Sequence, residues 1–70
     1  MDWAVVQEIH TIKRQGGKID NATISVSKDG ITVRREYKMP DGTTRVMKNS
    51  YKEGETELNA DLFMLELESK

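Results

Sequence analysis

Two turn signals, Asp29-Gly30 and Met39-Pro40-Asp41-Gly42, cut the middle of the chain into three segments in which apolar and polar residues alternate. Ile24 and Val26 alternate with Thr23, Ser25 and Ser27, and Ile31, Val33 and Tyr37 share one side of the next segment. A period of two is the signature of a half-buried strand, so the turns and the alternation together predict a β-meander. Reading Asp29-Gly30 as a two-residue loop places Val26 opposite Val33. Proline cannot adopt a positive φ, so the second turn is expected to be type I, closed by Gly42 as a glycine bulge. That three-residue loop places Met47 opposite Arg35 and Tyr51 opposite Ile31. The expected core face is then Ile24, Val26, Ile31, Val33, Tyr37, Met47 and Tyr51. The two turns are independent arguments, and they agree on one face.

Helical periodicity flanks this meander on both sides. Val5, Ile9 and Ile12 recur at helical spacing with Val6 beside them, and Asp2 is placed to act as N-cap. Lys13 and Arg14 suit the negative end of the helix dipole, and Gly16-Gly17 offers the left-handed residue that ends many helices. A helix over 2–15 is predicted. Lys52 to Glu57 reads as a charged linker turning at Gly54. Asn59 is expected to cap a final helix running to about Ser69, built from Leu, Met, Glu and Ala. Phe63, Leu65 and Leu67 also alternate, so a fourth strand over 59–69 is the competing assignment. The fold expected is α+β, α-β-β-β-α: a three-stranded antiparallel β-meander with an N-terminal and a C-terminal helix packed on one face. Residues 1–70 are read as a single small domain.

A domain of 70 residues with no Cys has no disulfide to staple it and no thiolate for catalysis, so packing must hold it together. One His leaves the usual soft-ligand metal sites without ligands, and neither metal nor cofactor is expected. The longest run of large apolar residues, Leu62-Phe63-Met64-Leu65, is far short of the roughly 18 needed for a membrane span. Asp2 and Glu8 interrupt any export leader, so the chain reads as cytoplasmic. Formal net charge is −1, but the charges are segregated. Residues 13–52 carry a net +6, between ends of −2 and −5. Either the ends fold back and neutralise the middle, or the middle presents a basic face to an anionic partner.

No group of residues makes a catalytic constellation, and the protein is not expected to be an enzyme. His10 has no nucleophile motif around it and reads as a partly exposed packing residue. Glu53, Glu55 and Glu57 lack the spaced pattern of a calcium loop and read as solvated linker. Lys13 to Lys18 contains glycines, but these close a helix rather than open one, unlike a phosphate loop.

Arg34, Lys38 and Lys48 share the expected outer sheet face with Thr and Ser hydroxyls, a surface able to grip phosphates. The expected register sends both tyrosines to the core, which removes the stacking platform of single-strand binders. Nucleic-acid binding is therefore the second reading. The first comes from the final helix. Leu58, Leu62 and Leu65 form a stripe sufficient to cover a small sheet, while Phe63, Met64 and Leu67 point elsewhere. Apolar residues on both sides of a surface helix indicate a partner interface. The expectation is a small non-enzymatic interaction module of the adaptor or inhibitor kind, bound to a protein partner or forming a homodimer through Phe63, Met64 and Leu67. Its size would suit a bacterial or phage regulator.

Overall fold

A computed structural model describes residues 4–69. Its elements run α1 (Ala4–Arg14), β1 (Lys18–Ser27), β2 (Gly30–Lys38), β3 (Thr44–Tyr51) and α2 (Thr56–Glu68). The strands form one antiparallel sheet in the order β1-β2-β3. Ile9 and Ile12 of α1 pack with Tyr37, Met39 and Met47, while Leu58 of α2 packs with Val33 and Tyr51. Both helices therefore lie on one face, as the α+β reading expects. Asp2, the expected cap, and Trp3 lie outside the described residues. At the other end of α1, Gly17 N–H donates to the Ile12 carbonyl and Gly16 N–H to the Lys13 carbonyl, both at 3.0 Å. Gly16 has a φ of 90°, the left-handed conformation this double closure requires.

The β2–β3 hairpin has the expected geometry. Arg35 lies opposite Met47 and Ile31 opposite Tyr51. Gly42 has a φ of 89° and donates its N–H to the Met39 carbonyl at 3.0 Å. Asp41 Oδ1 accepts the Thr43 N–H at 2.9 Å, which locks the turn from the side-chain direction.

The first hairpin differs from expectation. Its loop is Lys28-Asp29, and Gly30 is already the first residue of β2, paired with Ser27. Val26 therefore faces Ile31, and Ile24 faces Val33. The observed loop keeps both Lys28 and Asp29 out of positive φ and places the positive φ, 143°, on Gly30, the residue that tolerates it. Gly30 is needed for space as well: a Cβ there would come within 2.3 Å of the Tyr51 carbonyl oxygen. The Ser27 hydroxyl accepts the Asp29 N–H at 3.2 Å and steadies the loop.

Strand β1 also begins earlier than Ala22, at Lys18, with a register shift between Ile19 and Asn21. The extra residue, Asp20, breaks the alternation, which hides Ile19 as a strand residue in the sequence. A second correction concerns the core face. Ile24 and Val26 are on the helix side of the sheet, yet they remain 51% and 76% exposed. The buried clusters draw on β2, β3 and the helices, and β1 adds to them only the partly buried Ile19.

Helix α2 starts at Thr56 rather than at Asn59. Glu55 occupies the cap position with extended backbone, its carbonyl accepts the Leu58 N–H at 3.1 Å, and its Oε1 accepts the Lys52 N–H at 2.8 Å. Asn59 is exposed within the helix. The competing fourth strand is replaced by this helix, which carries Leu58 into the core.

Candidate interaction site

Helix α2 carries apolar residues on more than one side, and these meet different surroundings. Leu58, Leu62 and Leu65 face the sheet and pack on the cluster of Val33 and Tyr51. Met64, partly buried, packs instead against the cluster that holds Ile9, Ile12 and Met47. Phe63 and Leu67 remain in water, 58% and 48% exposed. Of the three residues expected to bind a partner, then, α1 takes up part of Met64, and Phe63 and Leu67 stay free. Met64 and Leu67 line a shallow groove between the helices, together with His10, Lys13, Arg14 and Glu68. An apolar floor with a cationic rim on α1 suits a partner surface that carries apolar anchors next to carboxylates.

What holds α2 in this orientation is a polar cluster that the sequence reading did not anticipate. Arg35 is fully buried on the central strand. Its guanidinium forms an ion pair with Asp61, also fully buried, and donates from Nη2 to the Asp61 carbonyl at 2.8 Å and from Nε to Glu68 Oε1 at 2.9 Å. The two tyrosines complete the set. Tyr37 donates its hydroxyl to Glu68 Oε2, and Tyr51 donates to Asp61 Oδ2, each at 2.5 Å.

The electrostatics follow from this arrangement. Burial opposes the charge on Arg35, but its hydrogen bonds to Asp61 and Glu68 outweigh that and hold its pKa above the ordinary value. Burial, and then the neighbouring carboxylate, push the hydroxyl of each tyrosine well above the usual range. The cluster is sealed: the side chains of Arg35 and Asp61 have no exposure and that of Glu68 has 2%. Its contacts tie α2 to β2 and β3 of the sheet. Two signals for it were present in the sequence. Arg35 has the inward parity of Val33 and Tyr37, and Asp61 and Glu68 lie one heptad apart beside the Leu58–Leu65 stripe.

The alternative face is the outer side of the sheet. Arg34 lies opposite Lys48, and Lys38 opposite Thr44, so all three expected cations are on this face. Arg34, however, is bound to Glu36 at 2.7 Å. Glu36 lies opposite the half-exposed Val46, and Thr32 and Ser50 hydrogen-bond to each other at 2.9 Å. Lys38 and Lys48 remain exposed on either side of this partly neutralised, partly apolar patch. Among the described residues, no group of three or more His, Cys, Asp or Glu is placed to hold a metal ion, and no helix is long and apolar enough to cross a membrane. The chain matches no protein-family model, no curated protein and no solved structure with which it was compared.

Proposed function

We propose that this protein is a non-enzymatic interaction module of the adaptor or inhibitor kind, one that self-associates and docks a protein partner on the ridge of α2. The carrying observation is that α2 keeps Phe63 and Leu67 in water although its opposite side already covers the sheet. Surface phenylalanine and leucine side by side on one helix contribute little to folding and much to association. The cationic rim of Lys13 and Arg14 favours a partner with carboxylates next to its apolar anchors.

Two measurements test this reading. Light scattering over a wide concentration range should show the mass rising from monomer to dimer. In parallel, the double variant Phe63→Ser/Leu67→Ser should unfold in denaturant within about 0.5 kcal/mol of the parent, as exposed positions do. A loss of several kcal/mol, with a parent that stays monomeric throughout, would show that both residues serve the core and would sink the proposal.

A further inference from the structure

The second uncovered apolar strip lies on β1, and its backbone makes it more specific than the ridge of α2. Strand β1 is an edge of the sheet. From Asn21 to Ser27 it carries no charge and no proline, the devices by which proteins guard edge strands. The other edge, β3, is guarded by Arg45 and Lys48. Ser27 and Gly30 are partners across a two-residue loop, the position at which a hairpin's closing pair exchanges hydrogen bonds. By alternation, Ala22, Ile24 and Val26 then direct their N–H and C=O groups away from β2, where no described strand pairs with them.

We propose that β1 is the surface on which a second copy of this chain docks, antiparallel and centred on Ile24, joining two sheets into one of six strands. This rests on the self-association in the functional reading above, moves it from the ridge of α2 to β1, and adds the register. A two-fold axis perpendicular to the sheet keeps each face intact, so only registers that pair residues of the same parity are allowed. Centring on Ile24 pairs Ile24 with its own copy and Val26 with Ala22 on the helix side. On the outer side it pairs Thr23 with Ser25, a hydroxyl pairing that suits adjacent strands. At both ends Lys28 of one copy comes beside Asp20 of the other. Centring one residue earlier sets Lys28 near Lys18, and one residue later sets it opposite Ala22. Charge complementarity therefore selects the Ile24 register, and the bulge at Asp20 ends the pairing there. A closed pair uses one self-matching surface, and a second would string copies into an open chain or build a larger assembly. The ridge of α2 is thereby left for a different protein, displayed twice per dimer.

The chain has no cysteine, so single thiols report contacts without background. Under mild oxidation Ile24→Cys should form a covalent dimer, whereas Phe63→Cys and Val46→Cys should not. Ile24→Lys/Val26→Lys alters only exposed side chains and sets lysines against each other across the two-fold. It should raise the dimer dissociation constant by about a hundredfold or more, as like charges meeting in an interface do. If the lysine variant stays dimeric, or if Phe63→Cys cross-links and Ile24→Cys does not, the β1 interface is wrong while the self-associating module stands. If the parent is monomeric at every concentration, the β1 interface falls together with the self-association. Should the lysine variant fail to fold, the cysteine pair decides alone.

Discussion

At the scale of single residues, the unusual feature is how much of the polar chemistry of the chain is concentrated around Arg35. Removing that side chain while leaving Asp61 and Glu68 in place strands two buried carboxylates. Arg35→Met should therefore cost about 3–5 kcal/mol in a urea melt, the range seen when one partner of a buried ion pair is lost. A cost under about 1 kcal/mol would mean that water reaches the cluster. The tyrosines give a second, spectroscopic prediction. The chain has only two, Tyr37 and Tyr51, and both donate into the cluster. Their folded pKa values are raised above the unfolded value of about 10. The protonated hydroxyl is thus favoured by the fold, and its stabilisation is complete below about pH 10 and declines as pH rises above it. Phenolate absorbance should therefore appear together with unfolding in one alkaline transition. Ordinary titration near pH 10 with the fold intact would contradict the buried placement of both rings.

At the scale of elements, the two hairpins show how turn chemistry sets register. Gly42 adopts a positive φ with nothing within 4 Å of the position a Cβ would take. Strain alone decides there, and Gly42→Val should lower stability by about 1 kcal/mol or more in a thermal melt. An unchanged melting temperature would refute the turn geometry. Gly30 shares the positive φ and adds a clash, because the Tyr51 carbonyl occupies the space a side chain needs. Gly30→Ala should accordingly cost more than Gly42→Ala, and equal costs would show that the β2–β3 contact relaxes freely. Reading the first loop one residue late displaced the β1–β2 register by two residues. Because the side-chain period is also two, every residue from Ala22 to Ser27 kept its predicted face.

At the scale of the molecule, the charge segregation seen in the sequence is partly cancelled by folding. The acidic C-terminal helix brings Asp61 and Glu68 back to Arg35 on the basic middle strand. Within that strand Glu36 holds Arg34. The outer sheet face therefore keeps fewer free cations than the sequence count suggests. No complex with random duplex or single-stranded DNA is expected at about 0.15 M salt, where charges more than roughly 8 Å apart are screened. Fluorescence anisotropy with a labelled duplex checks this. A micromolar complex that weakens steeply with salt, and is lost when Arg34, Lys38 and Lys48 are all changed to Gln, would shift the function to nucleic-acid binding.

Local chemistry determined the element types, the meander, the left-handed Gly42 and the register of β2 against β3, because periodicity and turn geometry act over a few residues. It also marked Phe63 and Leu67 as apolar residues off the stripe that covers the sheet. Asp20 concealed the start of β1, since one inserted residue reverses the alternation on which strand recognition depends. Which apolar residues are actually covered was decided only in three dimensions. Ile24 and Val33 have the same pattern in the chain and sit opposite each other, yet Val33 is fully buried and Ile24 half exposed. The difference arises because α2 is anchored through Arg35, Tyr37 and Tyr51, on β2 and β3, by contacts that span 10 to 33 positions along the chain. Parity and heptad spacing mark Arg35, Asp61 and Glu68 singly but do not say which of these distant residues meet, so the tertiary structure alone sets where the helices rest and which edge of the sheet stays bare.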